Sequence, residues 1–213
     1  MPDAGSATTR ARTMLGMVVG PGPAFAGLGL RGSTLVSLAV DALTAAGDLD
    51  VVVVGDERAG RTAVRPDQPW RPRAGAGLVL HDARCPLLPP AAIRECLRRR
   101  AEGGPGTAVI GVRPVTDTLK EVVDGAVVNT IDRNSLAALA SPVVVGPDLL
   151  DGLSARFPLA GDLADLPTLV HALTGMGVVV PVEVPSSARR VSDREDLELL
   201  ECLHGLHQIL RER

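Results

Sequence analysis

Two polar clusters in the middle of the chain contain side chains that can bind a phosphate or a metal ion. His81-Asp82-Ala83-Arg84 follows the apolar run at residues 78–80, and Thr116-Asp117-Thr118-Leu119-Lys120 follows the run at 108–112. A carboxylate at a strand end can hold Mg²⁺ or a ribose hydroxyl, and an adjacent arginine can contact a phosphate through two hydrogen bonds. Ligands of open α/β sheets bind outside the carboxyl ends of the strands, so both clusters lie where a site is expected.

Each polar cluster also has a purely structural interpretation. Asp82 can cap a helix while Arg84 faces solvent, and the hydroxyls and cation of the second cluster, which suit a phosphorylated polyol, can equally form a solvated turn. Asp132-Arg133 can return an arginine to the site or form a surface ion pair. Arg189-Arg190 can add charge for a phosphate or line a solvated edge.

A glycine-rich turn follows the first apolar run, and Gly20, Gly22 and Gly27 are candidates for a phosphate-binding loop. Such a loop directs backbone N–H groups at phosphate oxygens, but Pro21 and Pro23 have none. The turn also lacks the lysine of a P-loop. A plain strand-to-helix connection is therefore the favoured interpretation, with Gly20 and Gly22 kept as nucleotide-binding candidates.

Apolar runs alternate with helical patterns along the chain, which predicts a doubly wound, mostly parallel α/β sheet. Strands are predicted at 14–19, 51–54, 78–80, 108–112, 141–145 and 178–184. Helices are predicted from a cap at Ser33 or Thr34 through Ala46, at 91–101, 166–174 and 195–211, with one or two helical turns at 135–140.

Three segments depart from this alternation. Residues 119–131 read LKEVV, Asp124-Gly125, AVVNTI, which predicts a β-hairpin that projects as an arm. Residues 57–77 are rich in Pro, Arg and Gly, which predicts a flexible surface loop or a region that has lost structure. Residues 1–13 are predicted to be a disordered leader, so that residues 14–213 form a single domain.

Composition excludes several classes of function. The chain contains one Trp, two Phe and no Tyr, and its net charge is −3, which argues against nucleic-acid binding. No apolar run approaches the roughly 20 residues of a membrane span. Three scattered cysteines indicate a reducing compartment, so a cytoplasmic location is expected. His204 and His207 share a helix face without a third ligand, so a metal site there is discounted.

Four of these segments, in order, resemble the 2-C-methyl-D-erythritol 4-phosphate cytidylyltransferase family of the non-mevalonate isoprenoid pathway. They read LVLHDARCPLL, PVTDTLK, V-x-x-T-I-D-R-x-x-L and ARRVSDREDLELLE. A weaker match at residues 30–36 resembles the family's helix-entry segment. The resemblance implies a nucleotidyltransferase-like, Rossmann-like sheet, and a homodimer that is interlocked by the arm.

The resemblance also implies a reaction and its residues. A polyol phosphate oxygen would attack the α-phosphorus of CTP and release pyrophosphate, with Mg²⁺ as cofactor, and such chemistry depends on positive charge around the phosphates. Asp82 matches the family's carboxylate and is a candidate to bind substrate or metal. Thr118 and Arg133, at the two ends of the arm, match polyol-phosphate-binding positions, and Lys120 of the second polar cluster is a further candidate to bind the substrate. Arg190 stands where the family has a lysine before the last helix and is the catalytic candidate.

The chain departs from the family where the nucleotide would bind. The family's first loop reads AAGxGxR followed by PK[QA]F, whereas residues 20–25 here contain neither cation. The loss of one electrostatic donor of this kind costs roughly 10²–10³ in rate. The family segment that contacts the base is replaced by residues 57–77, TPQ reads Ser141-Pro142-Val143, and TDEAS is reduced to residues 164–168.

The HDAAR segment of the family reads HDARC here. Cys85 therefore occupies the arginine position, and Arg84, a candidate nucleotide-binding residue, lies one position early. Alternation would direct Arg84 away from the site if this segment is extended.

Two functions of different class follow. In the first, the chain is a working or weak cytidylyltransferase in which Arg31, Arg61 or Arg84 replaces the lost cations. In the second, it is a catalytically inactive homologue that keeps the polyol-phosphate side and acts as a binding or partner protein.

Overall fold

A computed structural model of the chain describes residues 14–20, 22, 25, 28–30, 32–55, 62–71 and 74–211, except for the side chains of residues 203, 204 and 206–211. The predicted leader at 1–13, as well as Arg31 and Arg61, lie outside the described residues. The division into a leader and a single domain stays a prediction.

The described residues form eleven strands and five helices. The strands are β1 Met14–Val19, β2 Gly29–Leu30, β3 Ser33–Thr34, β4 Leu49–Val54, β5 Ala63–Val64, β6 Leu78–Asp82, β7 Thr107–Pro114, β8 Leu119–Val123, β9 Ala126–Ile131, β10 Ala137–Val145 and β11 Val178–Glu183. The helices are α1 Leu35–Ala46, α2 Pro90–Gly103, α3 Pro147–Arg156, α4 Leu166–Thr174 and α5 Arg194–Arg211. Three short 3₁₀ helices lie at Arg133–Ser135, Ala160–Ala164 and Ser186–Ala188.

Seven of these strands form one twisted sheet in the order β11-β7-β10-β6-β1-β4-β5. β10 is antiparallel to both of its neighbours, and the other described pairings in this sheet are parallel. The carboxyl ends of β1, β4, β6, β7 and β11 therefore meet at one edge. This mostly parallel α/β sheet confirms the predicted fold class.

Helices cover both faces of the sheet because its central strands are apolar on both sides. Val18 and Val79 belong to the core beneath α1, α2 and α5. Met17 and Leu80, their neighbours along the chain, belong to the core beneath α3 and α4. The predicted cap of α1 is also confirmed at Thr34, whose hydroxyl accepts a hydrogen bond from the Ser37 N–H (3.1 Å), and α1 ends at Ala46 as predicted.

The prediction of helical turns at 135–140 is wrong. β10 begins at Ala137, and its first residues pair with β7, with Ala137 opposite Pro114 and Leu139 opposite Val112. Pairing with a buried strand outweighs the local helix propensity of the Leu and Ala residues.

The prediction that residues 57–77 lack structure is wrong for the part that the structure describes. Residues 63–64 form β5, which pairs in parallel with the end of β4. Trp70 is only 3% exposed and belongs to the core beneath α3 and α4. A buried aromatic ring and a strand pairing hold this segment, and neither was apparent from its composition.

The predicted arm is confirmed as a β-hairpin. β8 and β9 form their own two-stranded antiparallel sheet, and residues 120–137 are all exposed. Asp124 and Gly125 occupy the turn with φ of 51° and 78°, the left-handed conformation that a two-residue hairpin turn requires. None of the helices in the described part of the chain is long and apolar enough to cross a membrane.

His81 lies in β6 with no exposed surface. Among the described residues, neither ring nitrogen has a hydrogen-bond partner. Burial lowers the pKa of His81 to about 4, although the nearby Asp82 carboxylate opposes this shift. The folded protein therefore keeps the imidazole neutral in mildly acidic solution.

We predict that this buried imidazole makes the fold sensitive to acid. As the pH falls from about 6.5 to about 4, the unfolded chain binds a proton at position 81 that the folded chain does not, and the unfolding free energy decreases by roughly 3 kcal/mol. His81→Leu should remove this contribution. The measurement is urea unfolding at several pH values, and equal pH dependence in both proteins would contradict the prediction.

Candidate active site

Asp82 is the last residue of β6, and its side chain is 1% exposed. Its backbone N–H donates to the Ser141 hydroxyl of β10 (2.7 Å). Its Oδ1 accepts a hydrogen bond from the backbone N–H of Arg84 (2.9 Å), which closes a tight turn directly after the strand. The carboxylate is therefore fixed in orientation by the sheet edge and by the turn.

Two guanidinium groups contact this carboxylate. Arg84 Nε donates to Oδ1 at 3.3 Å, and Arg190 Nε donates to Oδ2 at 2.7 Å. Both arginine side chains are partly exposed, at 22% and 33%. Both use Nε for the carboxylate, so their terminal Nη groups stay available, and no other described residue accepts a hydrogen bond from them.

The charges at Asp82 act in opposite directions. Burial raises the pKa of Asp82 above its ordinary value, and the charge and hydrogen bond of Arg190 oppose this shift. A buried carboxylate of this kind needs its cationic partners, because an unpaired charge is costly in a region of low polarity.

Arg190 reaches the end of β6 because its own segment is attached there. The N–H of Val191 donates to the carbonyl of Arg84 at 2.7 Å, and Val191 and Ala188 are fully buried. Arg189 forms an ion pair with Asp196 on α5 at 2.6 Å. The segment before α5 therefore packs directly against the turn that contains Arg84.

A cavity of about 660 Å³ opens beside the two arginines. Arg84 and Arg190 line it together with Asp162, Asp165 and Thr168, which contribute further polar groups. A volume of this size suits a small molecule. The arrangement can bind an anionic group through the guanidiniums and accept hydrogen bonds from hydroxyl groups through the carboxylates.

The part of the lining formed by residues 157–168, here named the cavity wall, includes the start of α4. Asp165 caps this helix, because its Oδ1 accepts from the N–H of Thr168 (3.3 Å) and its Oδ2 accepts from the Thr168 hydroxyl (2.8 Å). Asp162 Oδ2 accepts from the N–H of Leu159 (3.1 Å). Sequence reasoning did not select these residues, although Asp165-x-x-Thr168 carries the signal of a helix cap.

The structure brings together Asp82, Arg84 and Arg190 but not the candidates on the arm. Lys120 Nζ donates to the Thr130 hydroxyl (2.6 Å), and Arg133 Nη1 donates to the carbonyl of Thr116 (2.6 Å). These two residues and Thr118 are exposed and do not line the cavity.

The glycine-rich turn is described only at some positions. Gly22 has a φ of 80°, and its carbonyl accepts from the N–H of Phe25 (3.1 Å), so the chain turns tightly there. Gly20 and Gly22 do not line the cavity. Their roles in nucleotide binding stay predictions.

The expectation that alternation directs Arg84 away from the site does not hold, because residues 83–84 form a turn. The backbone hydrogen bond to Asp82 returns the Arg84 side chain to the carboxylate. Cys85 is fully buried, and burial together with the Asp82 charge raises the pKa of its thiol to about 12. Arg84, rather than residue 85, thus supplies the cation.

The role of Asp82 as a ligand for Mg²⁺ does not fit its surroundings, because both oxygens face guanidinium groups. Within the described ranges, no group of three or more His, Cys, Asp or Glu side chains could hold a metal ion. Asp82 therefore serves here as the counter-charge of two arginines.

A mixed α/β sheet with cations gathered at the carboxyl ends of its strands places this chain among the α/β proteins that bind their ligands at that edge. The family model for IspD, 2-C-methyl-D-erythritol 4-phosphate cytidylyltransferase, matches residues 51–204, and the chain belongs to this family. The matched region begins after the glycine-rich turn.

Several relatives support this assignment. A 2-C-methyl-D-erythritol 4-phosphate cytidylyltransferase of Nocardia farcinica is 33% identical over 188 residues, covering 74% of this chain and 80% of that protein. One of Saccharopolyspora erythraea is 33% identical over 128 residues, covering 59% of this chain. The match spans 54% of the Saccharopolyspora protein, about half its length.

Solved structures share the fold. The 2-C-methyl-D-erythritol 4-phosphate cytidylyltransferase of Thermus thermophilus superposes with a TM-score of 0.67 at 20% identity, covering 90% of this chain and 99% of that one. The 4-diphosphocytidyl-2C-methyl-D-erythritol synthase of Anaerococcus prevotii gives 0.66 at 13% identity, covering 92% and 100%. The nucleotidyltransferase-like fold is confirmed.

We predict that Asp82→Asn destabilises the protein by about 3 kcal/mol, because it leaves two partly buried guanidiniums without their counter-charge. Glu95→Gln is the control, since it breaks an ion pair with Arg98 that is exposed to solvent and should leave stability nearly unchanged. Urea unfolding at neutral pH measures both variants. Equal stabilities would show that Asp82 does not anchor the arginines.

Proposed function

We propose that the chain binds a polyol phosphate in the cavity beside Asp82 and transfers CMP from CTP to 2-C-methyl-D-erythritol 4-phosphate, as a step in isoprenoid-precursor synthesis. The observation that carries this proposal is the pair of guanidiniums held on one buried carboxylate at the cavity edge. Membership of the cytidylyltransferase family supports the choice of reaction.

The arginines and the carboxylates that line the cavity suit the phosphate and the hydroxyl groups of such a substrate. The free Nη groups of Arg84 and Arg190 would bind the phosphate, as arginines bind phosphates elsewhere. Asp162 and Asp165 would accept hydrogen bonds from the polyol hydroxyls. A ligand with a phosphate but no hydroxyl groups would use only the arginines, and a ligand with hydroxyl groups but no phosphate would use only the carboxylates.

In the proposed reaction, a phosphate oxygen of the polyol phosphate attacks the α-phosphorus of CTP. The bond from that phosphorus to the bridging oxygen of pyrophosphate breaks, and pyrophosphate leaves with the electron pair. Arg190 would orient the attacking phosphate and offset the negative charge that accumulates as the phosphates approach. We propose that the phosphates of CTP would bind Mg²⁺, and that the ion would neutralise part of their negative charge.

A second candidate function is a homologue that binds the polyol phosphate without transferring a nucleotide. The observation that favours it is the absence of any Lys or Arg from residue 14 to residue 30 of the sequence, which includes the glycine-rich turn. A turn without cations would hold a triphosphate poorly.

We propose further that the chain forms a homodimer through the arm. The arm exposes apolar side chains, with Val127 65% exposed and Val122 and Val128 each 57% exposed. Exposed apolar patches of this kind mark interaction sites. A second copy would cover them and would bring its Thr118 and Arg133 to the cavity, which one chain by itself does not do.

The two functions predict different responses to nucleotide. For the transferase, CTP with Mg²⁺ should raise the melting temperature, with stabilisation of about 2.7 kcal/mol at a hundredfold excess over Kd, and addition of the polyol phosphate should release pyrophosphate. For the binding protein, only the polyol phosphate should stabilise the fold. No shift of the melting temperature with either ligand would contradict both functions. Arg190→Ala is the control, because a shift that comes from binding in the cavity should be smaller in this variant.

We predict that Arg84→Ala weakens the binding of the polyol phosphate by roughly 10–100-fold, the cost of losing a charged hydrogen bond. Arg99→Ala on α2 is the matched control, because it removes an arginine from an exposed helix face away from the cavity. Isothermal titration calorimetry compares the two variants with the wild type. Unchanged affinity in Arg84→Ala would exclude Arg84 from the site.

We predict that the wild-type chain sediments as a dimer at micromolar concentration and that Val122→Glu combined with Val127→Glu gives a monomer. The two valines are cross-strand neighbours on the arm, so the paired charges would oppose burial. Val178→Glu is the control, since Val178 is 63% exposed on the edge strand β11, away from the arm. A wild-type monomer would remove the proposed dimer.

A further inference from the structure

Residues 62–71, here named the strap, run from the edge of the sheet to the first residues of the cavity wall. The strap starts as β5 beside β4, where Val53 lies opposite Ala63. It then runs to residues 157–161, about ninety positions later in the chain. Phe157 and Gly161 of that stretch, and Asp162 directly after it, line the cavity.

Hydrogen bonds join the strap to the wall at successive positions. The N–H of Gly161 donates to the carbonyl of Pro66, and the N–H of Ala160 donates to the carbonyl of Gln68, both at 2.9 Å. The approach is so close that a Cβ on Gly161 would lie 3.0 Å from Pro66. Any side chain at position 161 would therefore push the strap away from the wall.

Trp70 completes the contact. Its indole Nε1–H donates to the carbonyl of Phe157 at 2.7 Å, in a buried environment. Its ring packs in the same core as Phe157, Ala160 and Leu163. Because it is the only tryptophan of a chain that contains no tyrosine, the fluorescence of the protein reports on the surroundings of this residue.

We propose that the strap positions the cavity wall and that Trp70 is a positioning residue for the phosphorylated ligand of the cavity. The part of the wall that the strap contacts, residues 157–161, leads into a short 3₁₀ helix between α3 and α4, and the strap holds it through two backbone hydrogen bonds and the indole hydrogen bond. If the docked strap favours the ligand-binding arrangement of the wall, then ligand binding must favour docking of the strap by the same factor, because thermodynamic coupling is reciprocal. The identity of the ligand rests on the proposed function, whereas the coupling does not.

The experiment uses the full chain with two probes, inorganic phosphate and 2-C-methyl-D-erythritol 4-phosphate. In the wild type, the polyol phosphate should change the emission of Trp70 and protect it from quenching by acrylamide. Trp70→Phe, which keeps an aromatic ring but loses the indole donor, should weaken polyol phosphate binding about tenfold by calorimetry. If transfer occurs, its KM for the polyol phosphate should rise while kcat and the affinity for CTP stay near wild-type values.

Two further variants separate positioning from a general loss of structure. Gly161→Ala keeps Trp70 and should alter its emission and weaken ligand binding in the same direction as Trp70→Phe. Asp67 also lies on the strap, but its side chain is exposed, and among its described contacts it pairs only with Arg65. Asp67→Asn should therefore leave the emission of Trp70 and ligand binding unchanged.

Each outcome decides a different point. A response of Trp70 to inorganic phosphate but not to the polyol phosphate would uphold the coupling and reject the proposed substrate. Wild-type affinity for the polyol phosphate in Trp70→Phe, or a silent Trp70 while calorimetry shows binding, would overturn the strap proposal and leave the proposed function standing. Absence of binding of both probes would overturn both.

Discussion

The buried carboxylate of Asp82 and its two guanidinium partners hold together parts of the chain that are far apart in sequence. Arg190 is 108 residues from Asp82, and its contact places the segment before α5 against the end of β6. A carboxylate with 1% exposure cannot remain charged without such partners, and the arginines in turn are oriented by it. Because each arginine uses Nε for Asp82 and both line the cavity, the interaction that fixes their position leaves their terminal N–H groups for an anion.

The sheet topology explains why this interaction forms where it does. β10 runs against its neighbours and brings Ser141 to the carboxyl end of β6, where its hydroxyl accepts the Asp82 N–H. At this point β10 lies very close to β7, since a Cβ on Gly111 of β7 would collide with the backbone of Ser141. A glycine at position 111 is therefore required by the approach of β10. The antiparallel strand thus acts as a support for the site as well as a member of the sheet.

Sequence patterns predicted the elements that depend on local composition. The runs at 51–54, 78–80 and 108–112 are short and apolar and alternate with helical patterns, which identified them as buried strands. The predicted limits of α4 agree with the structure because Asp165 and Gly175 mark its ends. The start of β10, the strap and the position of Arg84 were not predictable in this way. They depend on pairing with β7, on an indole hydrogen bond across 87 residues and on a turn closed by the Asp82 side chain.

The exchange of HDAAR for HDARC shows how a site can keep its charge while its sequence changes. Position 85 is fully buried beside Ser141, where a neutral thiol requires no counter-charge. Arg84, placed on the turn, is partly exposed and reaches Asp82 with its Nε, so one carboxylate and one arginine of this segment still meet at the strand end. Arg190 adds the second cation from the C-terminal segment. The charge arrangement at the end of β6 is thus defined by which groups converge on Asp82, and the family pattern at single positions is a weaker guide to it.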